Sequence, residues 1–216
     1  MVMVKSNSPI AVEGYPFIAL FAFITIVFAL LKWGGFAFPF LLLTLFTVYF
    51  FRDPDRCIPE DELSVVSPAD GRIVFCGEVI DERYGSEATC KISIFMSVFN
   101  VHVNRAPTSG KIVGKFYNRG EFLNAALDKA SLENEQCGLM METMNGSKIL
   151  FIQIAGLIAR RIITYPKIGD ALLRGERFGL IRFGSRVDVY LPSNSDVLVR
   201  LGDRVTSGET VLGYLK

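Results

Sequence analysis

The stretch "GERFGLIRFGSRVDVYLP", residues 175–192, decides how the rest of the chain is read. Apolar and β-branched residues stand on both sides of Phe183-Gly184-Ser185-Arg186, with the spacing of strands. The Gly-Ser pair interrupts that spacing where glycine permits a tight bend that a Cβ resists. A hydroxyl placed at such a bend faces its own preceding carbonyl. The pair is also what an ordinary turn uses, so the remainder of the chain has to decide between a turn and a reactive bond.

The 216 residues suffice for one domain of ordinary size with a real core. Half of them are hydrophobic, but they are unevenly spread. "YPFIALFAFITIVFALL" (15–31) carries no charge, and after Lys32 "WGGFAFPFLLLTLFTVYFF" (33–51) is also uncharged. A helix crossing the hydrocarbon core takes about 20 apolar residues, so residues 1–53 are expected to form a membrane-anchoring hydrophobic helical hairpin, spanning or re-entrant, turning at Lys32-Trp33-Gly34-Gly35. Lys5 precedes the first run and Arg52 and Arg56 follow the second, which puts both ends, and the globular part with them, on the cytoplasmic face of the cell membrane. A formal net charge of +1 gives no basic field for nucleic acid. Cys57, Cys76, Cys90 and Cys137 lack CxxC spacing and suit reduced thiols. A single histidine, His102, excludes a multi-histidine metal centre, and no metal is expected.

Residues 54–216 break into short apolar or alternating stretches between Gly, Pro, Asn and Asp: "GRIVFCGEVI", "CKISIFMS", "GKIVGKFY", "KILFIQIAG", "RRIITY", "RVDVYL" and "DVLVRL". That is strand grammar, and the expected class is mainly β. Only "EFLNAALDKASLENEQ" has a helical period. "VLVRLGDRVTSGETVLGYL" repeats the strand, turn, strand pattern of "VSPADGRIVFCGEVI", as in the sandwiched barrels of lipoyl-type and related hybrid domains.

At Gly184-Ser185 the bend permits an N-to-O acyl shift. Elimination from the resulting ester would leave a dehydroalanine at the head of the C-terminal piece, and hydrolysis would turn it into a pyruvoyl group. Such a ketone needs no external cofactor to condense with an amine and take up electrons as carbon dioxide leaves. The segments "SPADGRIV", "FNVHVNRAPTSGKI", "IAGLIARRI" and "GERFGLIRFGSRVDVYLP", in this order behind an apolar N-terminus, resemble the compact, pyruvoyl-dependent branch of the phosphatidylserine decarboxylase family, including its archaetidylserine decarboxylase-like members. The resemblance covers nearly the whole chain.

It implies autocatalytic cleavage after Gly184, a pyruvoyl group made from Ser185, and catalytic roles for Asp70 and His102. Pro68, Asp70 and Gly71 are also what a β-turn uses, and His102 lies between two valines in an apolar strand. As the one imidazole it is the near-neutral acid or base. Longer family members carry a second histidine three residues on, where this chain has Arg105. A phospholipid headgroup calls for guanidinium groups, and Arg105, Arg160, Arg161 and Arg186 are the candidates. The expected partners are a membrane phospholipid and the chain's own second cleavage fragment, with further self-assembly left open. The alternative is a membrane-tethered lipoyl-like carrier without catalytic activity; "LPSNSDV" and "LGDRVTSGE" lack the lysine that such a carrier needs at its hairpin tip.

Overall fold

The computed structural model describes residues 2–4, 8–120, 133–156, 161–182 and 185–216. Contacts divide the chain into two units, Lys5–Asp55 and Met1–Val4 with Arg56–Lys216. The first holds helices α1 (Tyr15–Leu30) and α2 (Gly34–Phe50). Val12–Leu30 is long and apolar enough to cross a membrane, and Gly34–Phe50 is a shorter apolar helix. The Thr25 and Thr44 hydroxyls each donate back to a carbonyl one turn earlier, at 2.8 Å, which satisfies them inside apolar helices.

The hairpin turn is tighter than the sequence reading. Gly34 and Gly35 belong to the first turn of α2, and it is Lys32 that takes the left-handed conformation, at φ 60°. The Lys32 N–H donates to the Ala29 carbonyl and the Trp33 N–H to that of Phe28, so α1 ends in a Schellman cap. A side chain in that conformation costs about 1–2 kcal/mol, which the two cap hydrogen bonds offset.

The second unit is mainly β. Strands β1 (Val2–Val4) and β2 (Arg56–Ile58) pair with each other. Three short strands, β3 (Ser64–Val66), β14 (Asp196–Val197) and β16 (Val211–Tyr214), form a sheet in the order β14-β16-β3. Another three-stranded sheet runs β10-β12-β6, from β6 (Val103–Arg105), β10 (Ile162–Thr164) and β12 (Arg177–Ile181). The main sheet takes β4 (Gly71–Ile80), β5 (Ala88–Met96), β7 (Gly110–Asn118), β8 (Gln136–Glu142), β9 (Lys148–Ala155), β11 (Ala171–Leu172), β13 (Ser185–Pro192) and β15 (Arg204–Val205). Its order is β11-β7-β8-β9-β13-β5-β4-β15, antiparallel throughout.

Alternation sends side chains to opposite faces of this sheet. Ile92, Ile94 and Met96 of β5, Val187, Val189 and Leu191 of β13, and Ile149 and Phe151 of β9 build the main core. Leu150, Ile152, Ile154 and Tyr190 form a smaller apolar cluster from the alternate positions.

Two stretches depart from the sequence reading. Strand β8 went unrecognised because Gly138 and its methionines are weak strand formers; a Cβ on Gly138 would stand 2.2 Å from the Phe116 ring, which lies across the strand there. "DVLVRL" is a strand only at Asp196–Val197, after which the chain turns through Gly202 at φ +93°. Residues 121–132 of the helical-period segment lie outside the described residues, and its last residue, Gln136, opens β8.

Beside the smaller cluster lies an ionic network. Arg83 bonds both oxygens of Asp81, the Gln136 side-chain Oε1 at 2.6 Å and the Tyr190 hydroxyl at 2.8 Å, and Tyr190 donates to Asp81 at 2.8 Å. Burial works to raise the Asp81 pKa, but the Arg83 and Tyr190 hydrogen bonds and the Arg83 charge outweigh it and hold the carboxyl at about 2. A group whose folded pKa is depressed stabilises the fold above its unfolded pKa and loses that contribution as pH falls through the folded value. The urea midpoint is therefore expected to fall as pH drops from 3.8 towards about 2, and Asp81→Asn should flatten that fall. Identical pH profiles for parent and variant would remove Asp81 from the acid response.

Candidate active site

Ser185 is the first residue of β13, fully buried, and pairs in register with Met96 on one side and Ala155 on the other. Its hydroxyl donates to the Met96 sulfur at 3.3 Å. A thioether is a weak acceptor, so the hydroxyl is not locked to a strong partner.

At this end of the sheet the apolar core gives way to amides. Asn104 directs its Nδ2 to the same Met96 sulfur at 3.6 Å and to the Pro68 carbonyl at 3.5 Å. Its Oδ1 accepts from Gln153 Nε2 at 2.8 Å, and Gln153 Oε1 accepts from the Thr164 hydroxyl at 2.6 Å. Asn104 and Gln153 are fully buried. Such a chain holds the Asn104 amide in one orientation, its N–H₂ towards the sulfur that the serine hydroxyl also meets.

Sequence reasoning missed Asn104, Gln153 and Thr164. Two of them carried a signal. Gln153 is a lone amide at a position that period-2 alternation places with Ile149, Phe151 and Ala155, on the core face. Asn104 stands two residues from His102.

His102 is fully buried, with Nδ1 2.9 Å from the Asn100 carbonyl. A carbonyl only accepts, so Nδ1 carries the proton and the neutral ring keeps Nε2 as its basic nitrogen. The Asn100 side chain in turn accepts from the Ser97 N–H and hydroxyl, at 2.9 and 2.8 Å. A closed turn after β5 thus sets the imidazole.

Asp70 accepts from Arg56 Nη2 at 3.0 Å to each oxygen and from the Ser207 N–H at 2.8 Å. No hydrogen bond joins Asp70 to His102 among the described residues, the carboxylate being taken by Arg56 and the Ser207 N–H. The link from this segment to the serine runs through Pro68, whose carbonyl takes the Ser207 hydroxyl at 3.1 Å, the Arg105 N–H at 2.9 Å and Asn104 Nδ2.

The headgroup arginines fare differently from expectation. Arg105 is fully buried, with Nη1 on the Gly175 carbonyl at 3.0 Å. Arg186 is buried too, bonded to both oxygens of Asp188 at 2.5 and 3.1 Å and to the Ser93 hydroxyl at 2.9 Å. Burial works to raise the Asp188 pKa; the charges of Arg186 and Lys91 prevail and lower it. Both guanidiniums are thus held by internal partners, and the Arg-x-Asp spacing in "RVDV" was the sign of it. Arg161 is exposed, and its carbonyl accepts the Arg182 N–H at 3.3 Å. Arg160 and Gly184 lie outside the described residues.

A mainly β fold, a weakly held serine hydroxyl heading its central strand, and an oriented amide and imidazole on neighbouring elements define an enzyme rather than a carrier. The sequence profile described as phosphatidylserine decarboxylase matches residues 43–213. A phosphatidylserine decarboxylase proenzyme of Syntrophotalea carbinolica is 60% identical over 214 residues, 99% of this chain and 100% of the relative. Proteins of the same description from Geotalea uraniireducens and Geobacter metallireducens are 56% and 55% identical, each over 99% of this chain and 100% of the relative. The chain belongs to the phosphatidylserine decarboxylase family.

The amide chain is testable by itself. Gln153→Leu leaves the fully buried Asn104 Oδ1 without this partner, a loss of about 1–3 kcal/mol for a stranded group, while the half-buried Thr164 hydroxyl loses its acceptor at smaller cost. Chemical denaturation should show a destabilisation of that order, and a change near zero would mean that the chain of amides holds nothing in place.

Proposed function

We propose that the chain is a proenzyme that cuts its own backbone between Gly184 and Ser185, converts Ser185 into a pyruvoyl group, and decarboxylates phosphatidylserine, diacyl or diether, to the ethanolamine lipid with release of carbon dioxide. The observation that carries this reading is the buried Ser185 hydroxyl at the head of β13, whose partner among the described residues is the Met96 thioether, which the oriented Asn104 amide also meets.

In the first stage Ser185 Oγ loses its proton and bonds to the Gly184 carbonyl carbon, and the peptide C–N bond opens to an ester. Loss of the Ser185 Cα proton then expels the Gly184 carboxylate and leaves dehydroalanine. Water replaces its nitrogen, which departs as ammonia, and residue 185 becomes a ketone. The residues present suit such a group: the register of β13 holds its position, and Asn104 Nδ2, now on the weak acceptor Met96 and a long contact to Pro68, can donate to a carbonyl oxygen. A pyruvoyl group there supplies an electrophile for the lipid amine and a sink for the electron pair that carbon dioxide leaves behind.

His102 moves the protons. With Nδ1–H committed to Asn100, it exchanges through Nε2, taking a proton or delivering one to the substrate Cα. Asp70 supports the site by fixing Arg56 and the Ser207 turn against residues 67–70. The apolar residues 15–51 would keep the enzyme at the cytoplasmic face of the membrane, so that the lipid tails need not leave the bilayer.

Intact mass measurement on active protein should find two pieces, 1–184 and 185–216, the second blocked at its N-terminus; Ser185→Ala should remain one chain without activity. One unbroken chain in active enzyme would end this reading. General acid or base help is typically worth about 10² to 10⁴ in rate, so His102→Ala should still split but turn over slower by that factor if its work is in decarboxylation, and should stay whole if its work is in cleavage. Normal cleavage and normal carbon dioxide release together would take His102 out of the site. Deleting residues 1–51 should release the protein from vesicles, and full co-sedimentation of the deletion would place the anchor elsewhere.

A further inference from the structure

A hollow of about 440 Å³ is lined by Gly71, Arg72, Phe95, Ser97, Asn100 and Arg204. Three segments of its wall adjoin residues of the candidate active site. Gly71 follows Asp70, Ser97 follows Met96, and Asn100 is the residue whose carbonyl holds His102. Along the main sheet Ser185 pairs with Met96, and in the adjoining row Arg186 pairs with Phe95, Phe95 with Arg72, and Arg72 with Arg204. Neighbouring strands stand about 4.8 Å apart. Cross-strand partners share a face, so Arg72 and Arg204 stand with Phe95 and Arg186 on the face opposite the Ser185 hydroxyl, one residue in from the strand ends at which Gly71, Met96 and Ser185 lie, and a ligand they hold meets the serine round those ends.

The two arginines are exposed and differ from those buried beside them. Arg72 uses Nε on the Gly202 carbonyl at 2.9 Å, which fixes the guanidinium and leaves its terminal nitrogens without a partner among the described residues. Arg204 has no side-chain hydrogen bond or ion pair among them. The adjacent acid, Asp203, caps the Arg200 N–H at 2.8 Å. Two arginines at paired positions of adjacent strands, with no carboxylate lining the hollow among the described residues, repel each other unless an anion joins them, and guanidinium forks match the oxygens of a phosphate. The two turns beside the hollow carry exposed apolar side chains, Phe99 at 65% and Leu201 at 70%. Charged forks flanked by exposed hydrocarbon fit a ligand that is anionic at one end and oily at the other.

We infer that Arg72 and Arg204 bind the phosphodiester of the substrate headgroup in this hollow, with Phe99 and Leu201 against the hydrocarbon near it. The site rests on the decarboxylase reading, and it replaces the buried Arg105 and Arg186 as the source of headgroup guanidiniums.

The test uses the full-length chain and Arg72→Gln, Arg204→Gln and the double variant, with Lys111→Gln as a charge-matched control elsewhere on the surface. Decarboxylation of phosphatidylserine in phosphatidylcholine vesicles should show KM raised about tenfold by each single change and about a hundredfold by both. kcat, self-cleavage and the control should be unaltered. A second arm needs no turnover: glycerophosphoserine and inorganic phosphate are titrated calorimetrically into the Ser185→Ala chain, with and without the two arginine changes. Glycerophosphoserine should bind more tightly than inorganic phosphate and lose its binding in the triple variant. Equal binding of the two would overturn the headgroup assignment, and unchanged KM together with unchanged binding would overturn the site. A parent enzyme that fails to release carbon dioxide would instead refute the decarboxylase reading, while the binding arm would still report on the arginines.

Discussion

Strand β13 is hydrogen-bonded along both edges, to β5 over eight residues and to β9 over six. This double pairing fixes almost everything else. It makes β13 the middle of the main sheet, so its alternate side chains must be buried on both faces. Val187, Val189 and Leu191 enter the main core, while Arg186 and Asp188 go to the opposite face, where each charge has to find a partner within the fold. It also sets the position of Ser185 at the strand head, between Met96 and Ala155.

The inner face of the sheet changes character along its length. Over most of β9 it is apolar, and at Gln153 it becomes an amide held by Asn104 and Thr164. A buried amide is tolerated only when its donors and acceptors are met, and here they are met by residues from β6 and β10, strands of another sheet. The first of them, β6, follows directly on His102. The packing of the small sheet on the large one is therefore specified by polar contacts at one end and by apolar ones such as Phe151 against Phe178, 4.8 Å between ring centroids, elsewhere.

Much of this was readable from the sequence alone, and the parts that were not have physical causes. Strands with β-branched runs, such as β5 and β9, announced themselves by composition. Strand β8 did not, because its fitness depends on a ring from β7 lying over Gly138, a relation invisible in either segment alone. Ser185 and His102 could be singled out by type and scarcity. The fate of the arginines could not, because whether a guanidinium faces a hollow or a buried aspartate depends on register, and register is a property of paired strands. Asp70 shows the same limit: its turn chemistry and the family resemblance both pointed to it, but one of its partners, the Ser207 N–H, comes from a segment far along the chain.

The central place of β13 has a consequence for the molecularity of folding. Residues 185–216 contribute β13 through β16, and these pair with β5, β9, β4 and β3 of the preceding part. In the uncut chain all of these pairings form within one molecule, at a rate that dilution does not touch. Were the bond before Ser185 cut, as proposed, the same pairings would join two molecules, and their re-formation would slow with dilution. Assembly would then be favoured while the bond between residues 184 and 185 is still whole.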